Sequence, residues 1–252
     1  MSRYLRLLLL ALCVHQAQAA GPARVAAAAD LQYALPEVVQ VFVASGEAAP
    51  QLSFGSSGMF AQQIVNGAPF DIFLSADEAY ITLVHQAGRS DDLGLAYATG
   101  RLALFIGRGS PIAADRDLAD LGRAAADGRL QRLAIANPEH APYGRAAREA
   151  LQHLGLWPLL EGKLVLGENA AQAAQFVASG NAQAGILPLS LALAPALAEK
   201  GLVMTLPESW HRPLRQRMVL IKGAGENAQR FYRFLSTPQA RAILGRHGFA
   251  PP

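Results

Sequence analysis

The sequence predicts an open α/β fold divided into two lobes with a cleft between them. Short apolar runs suited to strands alternate along the chain with segments whose apolar residues keep helical spacing. Four loops lead from a strand into a helix start and carry small or polar residues: Ala29-Asp30, Ser56-Ser57, Pro142-Tyr143 and Asn169-Ala170. Two of them fall in the N-terminal part and two in the middle. In open α/β sheets, ligands collect outside the carboxyl ends of strands, where helices begin. Such a division therefore places a cleft between two lobes.

The elements follow in order. Val25 to Ala29 reads as a short strand that meets Asp30. Leu31, Leu35, Val38, Val39 and Phe42 keep helical spacing, but Pro36 would lie beyond the first turn of a helix begun at Leu31. A kink or irregular turn is expected there, with the regular helix starting near Leu35. Leu52 and Phe54 share one face of a second strand, and Phe60 and Ile64 one side of the helix after Ser57. Asn66-Gly67-Ala68-Pro69 breaks that helix, and Asp71 to Ser75 reads as a buried strand. A helix from about Glu78 to Gln86 stops at Gly88.

Arg101 to Gly107 is a strand that leaves the first lobe, and the stretch between Pro111 and Gly128 suggests a short surface helix. Leu133 to Ala136 is a buried strand before Asn137-Pro138-Glu139-His140-Ala141-Pro142-Tyr143. The helix after it carries Ala147, Ala150, Leu151 and Leu154 on one face and stops at Gly155. Leu164 to Leu166 is a brief strand. Asn169 then suits an N-cap, with Gln172 in the capping-box position, which leaves the Ala170 N–H without an intrahelical partner. Ala184 to Leu189 is strand-like, Ser190 to Glu199 short and helical, and Met218 to Ile221 the return crossing. Of two closing helices, one carries Phe231, Phe234 and Leu235; the other begins at Thr237-Pro238 and stops at Gly248.

Composition bounds the function classes. The chain has 252 residues, 52% hydrophobic and 16% charged, which suits a large core and not a disordered chain. Arg3 and Arg6, an apolar run from Leu7 to Val14 and Ala17-Gln18-Ala19 read as a cleaved export leader over 1–19. The run is far shorter than the roughly 20 residues a membrane span needs. The net charge of +3 falls to +1 without those two arginines, and no Lys/Arg cluster marks a nucleic-acid partner. Cys13 leaves with the leader, so the exported chain has no disulfide or thiol chemistry.

The chemistry centres on Ser53 to Asp77. Backbone N–H groups at a helix start lack partners, and the macrodipole there favours negative charge. Ser56 and Ser57 beside those donors make an anion pocket without Lys or Arg. The same serines also suit simple helix caps. Glu139-His140, between two prolines, reads as a loop-fixing pair rather than acid and base, and the other exported histidines show no metal-ligand spacing. Arg145 reads as a residue on a solvated helix face. A strand-to-helix serine is also how a hydrolase builds a nucleophile elbow, which makes a secreted serine hydrolase using Ser57 the rival reading; Met59 stands where that pattern needs its last glycine.

The segments AAAADLQYA (26–34), SFGSSGMFAQQIVNGAPFDIFLSAD (53–77), NPEHAPYGRAAREALQHLG (137–155) and STPQARAILGRHGF (236–249) resemble the periplasmic molybdate-binding proteins of ABC importers, over essentially the whole exported chain. That resemblance implies a two-lobed, type II-like periplasmic-binding-protein fold, each lobe a sheet flanked by helices, with lobe I over 20–100 and 216–252 and lobe II over 101–215. It implies a periplasmic monomer that binds molybdate or tungstate, needs no cofactor, and meets the membrane only through an ABC permease with its ATPase. Another oxyanion or a small organic anion is the alternative within the fold. By position, the implied ligand-facing residues are Asp30, Ser57, Tyr143 and Ala170, with Ala29 and Ser56 as further candidates. The chain departs from the family in two places. Pro188 stands where some members have a tyrosine, so the Tyr143 phenol is expected to replace it. Asp30 stands where a hydroxyl or amide is usual. Its carboxylate would repel a dianion, so it is expected to turn away and cap its own turn.

Overall fold

A computed structural model describes residues 21–115 and 117–252; the leader lies outside the described residues. The chain forms two five-stranded sheets of matching design. The first contains β1 (Arg24–Ala28), β2 (Gln51–Gly55), β3 (Ile72–Ser75), β4 (Leu95–Gly100) and, from near the C-terminus, β10 (Leu214–Leu220). Their order is β2-β1-β3-β10-β4, with β1, β2 and β3 parallel and β10 antiparallel to both neighbours. The second contains β5 (Leu102–Gly107), β6 (Leu133–Ala136), β7 (Leu164–Gly167), β8 (Ala184–Pro188) and β9 (Gly201–Thr205). Its order is β7-β6-β8-β5-β9, with β6, β7 and β8 parallel and β5 antiparallel to both of its neighbours, so each sheet has one reversed strand in its fourth place. The backbone passes to the second sheet at Arg101 and returns between Thr205 and Leu214.

Alternation along the strands assigns the cores. In the first sheet, Val25, Ala27, Ile72, Leu74 and Met218 face α1 (Ala34–Ala44), α10 (Glu226–Leu235) and α11 (Pro238–Arg246) in one buried cluster. Ala26, Phe73 and Val219 face α2 (Ser57–Val65) and α3 (Glu78–Gln86) in another. The second sheet is enclosed by α4 (Ala119–Ala126), α5 (Pro142–His153), α6 (Trp157–Leu160), α7 (Ala170–Ala178), α8 (Leu189–Ala192) and α9 (Pro195–Ala198). Its cluster also takes in Ala28, Ala29 and Ala76, so it runs across the junction between the sheets. Pro36 is accommodated by a 3-10 turn at Ala29–Leu31 and a regular helix that starts only at Ala34, which keeps the proline in the first turn.

Two strands are not evident from sequence. β4 and β9 carry exposed Leu95 and Leu202, and β9 is an edge strand. The return strand also begins earlier than Met218, because Leu214 and Gln216 alternate inward with Met218. The helix expected over 190–199 is split in two, because Pro195 starts α9 and holds Ala194 extended. Among the described residues no helix is long and apolar enough to cross a membrane.

Candidate oxyanion site

Strands β1, β2, β6 and β7 each end at the junction and lead into a 3-10 or α-helical start, β1, β2 and β7 within two residues and β6 through the loop 137–141. Ser56 is the N-cap of α2, with extended backbone and its Oγ accepting from the Met59 N–H at 3.3 Å. Pro142 occupies the first position of α5, where a missing N–H costs nothing, and places Tyr143 second. Asn169 caps α7 by accepting from the Gln172 N–H at 3.0 Å, while Gln172 Oε1 accepts from the Glu168 N–H at 2.7 Å. Gly144 lets α5 settle onto the end of β6: a Cβ there would lie 2.2 Å from the Ala136 carbonyl oxygen.

These starts converge on one small cavity. All six residues singled out from sequence line it: Ala29, Asp30, Ser56, Ser57, Tyr143 and Ala170. Sequence reasoning missed Ala28, Gly55, Ala76 and Ala141, which with Pro142 of the Pro142-Tyr143 loop complete the wall. Ala76 follows the end of β3, so the strand-end rule that found the other loops also points to it. The cavity is small, about 10 Å³, which suits a compact ion. The wall is built from alanines, hydroxyls and helix-start amides, and no lysine or arginine among the described residues lines it.

Ser57 is fully buried, and its Oγ accepts from the Ala76 N–H at 2.9 Å. With that lone pair engaged, its O–H is free to donate toward the cavity. Tyr143 and Ala170, at the second and first positions of their helices, carry amides with no intrahelical acceptor. The Tyr143 phenol is committed elsewhere. Its oxygen accepts from Gln216 Nε2 at 3.1 Å, against Gly100, where a Cβ would lie 2.3 Å from it. Pro188 is buried as the residue before α8.

Asp30 differs from expectation. Its side chain is buried and lines the cavity instead of turning away from it. Its Oδ2 accepts from Gln216 Nε2 at 2.5 Å, a partner 186 residues away that sequence reasoning did not single out. Burial pushes the carboxyl up to about 6, against the pull of Gln216, Tyr143 and the amides of Asp30 and Leu31. The Asp30 carbonyl also accepts from Ser190 Oγ at 2.8 Å.

Contacts across the junction hold the two sheets together over the cavity. The His140 carbonyl accepts from the Gly58 N–H at 3.0 Å and from Ser56 Oγ at 2.9 Å, and His140 Nδ1 lies 2.9 Å from the same hydroxyl. Arg148 holds Glu139 at 2.9 Å. The pair thus fixes its loop, as its place between prolines implies. Arg145 is not solvated: it is 15% exposed, bridging Asp77 at 3.0 Å and Glu149 at 2.8 Å. Among the described residues no three His, Cys, Asp or Glu side chains cluster as metal ligands.

Two sheets with helix starts from both aimed at a shared, closable cavity define a two-lobed solute-binding protein of the periplasmic-binding-protein type. The chain belongs to the bacterial extracellular solute-binding protein family, whose profile matches residues 23–250. It is 35% identical over 234 residues to the molybdate-binding protein ModA of Rhodobacter capsulatus, covering 92% of this chain and 89% of that one. The match to ModA of Escherichia coli is 31% over 232 residues, covering 91% and 89%. The solved periplasmic molybdate-binding protein of Azotobacter vinelandii superposes with a TM-score of 0.82 at 31% identity, covering 91% of this chain and 99% of that one.

Proposed function

We propose that this protein captures molybdate or tungstate in the periplasm and delivers it, as a monomer, to an ABC permease with its ATPase. Lobe I, residues 20–100 and 216–252, closes on lobe II, residues 101–215, around one dianion. The observation that carries this reading is the cavity itself. Its small size suits a compact ion, and its lining takes the Ser57 hydroxyl from one lobe and the Tyr143 and Ala170 amides from the other. Stripping a dianion of water is costly unless several donors replace the shell together. Closure brings donors from both lobes to do so, and fixed neutral donors select by size better than charge alone. The ligands named for the similar proteins of Rhodobacter and Azotobacter agree with this chemistry.

No bond is made or broken in this mechanism. The Ser57 hydroxyl bonds the Ala76 amide, and the histidine at the junction meets Ser56 through Nδ1. This arrangement supports a donor role for Ser57 and gives it no general base. Calorimetry of the exported chain against molybdate, tungstate, sulfate and phosphate tests the assignment. Molybdate and tungstate are expected to bind far more tightly than sulfate. Molybdate binding no tighter than sulfate would remove the specificity.

A further inference from the structure

Asp30 places an acid on the wall of a site that receives a doubly negative guest. It is 1% exposed, and among the described residues no cationic side chain shares a hydrogen bond or ion pair with it. Its neighbours are neutral. Gln216 from β10 donates to it, and Ser190 from α8 binds only its backbone carbonyl. The titratable groups facing it are Tyr143 from α5 and Tyr97 from β4. Both phenols are held well above their ordinary range by burial and by the carboxylate's charge, so they stay protonated. β2, α7 and α8, also packed on the Ala29–Leu31 turn, contain no charged residue.

The Tyr143 hydroxyl and the amides of Asp30 and Leu31 also favour the ionised carboxyl, yet its pairing with Gln216 leaves two acceptors facing no donor. Asp30 Oδ1 and Gln216 Oε1 are both buried acceptors without a partner, on two side chains already joined through Nε2 and Oδ2. An ionised carboxylate only accepts and leaves both without a donor, so the pair is poised to take up a proton; a protonated carboxyl brings that donor.

We propose that the anion enters this cavity together with one proton, and that the proton resides on the Asp30 carboxyl. The inference rests on reading the cavity as an oxyanion site. The proton comes from solvent: the carboxylate becomes a carboxylic acid, and the cavity gains one negative charge net instead of two beside an existing third. Burial, opposed by its hydrogen bonds, leaves the empty site's carboxyl at about 6, so near pH 7 the unliganded group is mostly ionised and has a proton to gain. A dianion in the adjoining cavity moves its pKa further up.

Calorimetry of the exported chain with molybdate at pH 7.5, in two buffers of different ionisation enthalpy, counts the proton. The expected result is an uptake close to one proton per anion. The affinity is expected to fall about tenfold per pH unit between roughly 6.5 and 8, the slope of one linked proton. Asp30→Asn is expected to abolish the uptake, flatten the pH profile and bind more tightly than the parent protein at pH 8. Infrared difference spectra of the parent protein give a readout that needs no variant, because a protonated carboxyl band is expected to appear on adding molybdate. Binding without proton uptake, or uptake that persists in Asp30→Asn, overturns this proposal alone. Failure to bind any of the dianions overturns the reading of the cavity, and the proposal with it.

Discussion

Ser57 performs two tasks with one oxygen, and each has its own measurement. Its hydroxyl accepts from the Ala76 N–H and keeps its hydrogen for the guest. Ser57→Ala is expected to weaken molybdate binding by roughly 1–3 kcal/mol, the scale of a hydrogen bond to a charged partner. It also leaves a buried amide unpaired, so urea denaturation is expected to show lower stability by about 1–3 kcal/mol. Asp30 acts through pH. Its folded-state pKa lies above the ordinary carboxyl value, so the folded chain holds the proton more strongly than the unfolded one between about 4 and 6. Stability of the empty protein therefore falls as pH rises through that window, by roughly 3 kcal/mol for a shift of about two units. Urea curves at pH 4, 6 and 8 are expected to show Asp30→Asn gaining on the parent protein as pH rises and holding its gain above 6. Ser57 is legible in the sequence because a serine between a strand and a helix has a local signature. Gln216 is not, since a buried glutamine inside a strand acquires its role from Asp30 and Tyr143, which are remote in the chain.

The helix starts are where local chemistry sets the site's geometry. Asn169 fixes the first turn of α7 and so the direction of the Ala170 amide. Asn169→Ala is expected to lower stability by about 1 kcal/mol, the usual cost of a lost cap. Calorimetry is expected to show weaker molybdate binding as well, because the first turn frays. Gly144→Ala acts through contact, since its Cβ would meet the backbone oxygen of Ala136 and force α5 away from β6. A loss of about 1–3 kcal/mol or more is expected in urea denaturation. Caps, Pro142 at a first helical position and glycine stops are short-range signals, which is why all four loops of the cavity were readable. β4 and β9 carry no such signal. Leu-Ala-Tyr-Ala-Thr-Gly becomes a strand by pairing with β10, whose residues lie more than a hundred positions away.

In the proposed mechanism, closure of the whole molecule draws on contacts made between the two sheets. Arg145 on α5 reaches Asp77, the N-cap of α3, at 3.0 Å, while Glu149 holds Arg145 from behind and also accepts from Arg212. Both partners of the crossing pair are largely shielded, at 15% and 18% exposure. Its worth therefore lies between the ~1 kcal/mol ceiling of an exposed pair and the ~3–5 kcal/mol lost when a buried one is broken. A guest closes the lobes only through contacts it makes better in the closed state, so any closure energy removed from the protein must come from its binding energy. Asp77→Asn is thus expected to lower molybdate affinity by a factor within that range while leaving the saturated form closed. Small-angle scattering separates the two states: the unliganded variant is expected to be more expanded than the unliganded parent protein, and the two saturated forms to coincide. Equal affinity and equal unliganded dimensions would mean that the pair is incidental to closure. The cavity would then be sealed by the His140 loop on Ser56 and Gly58, whose bonds run from a hydroxyl and an amide to a backbone carbonyl and carry no ionic term to screen.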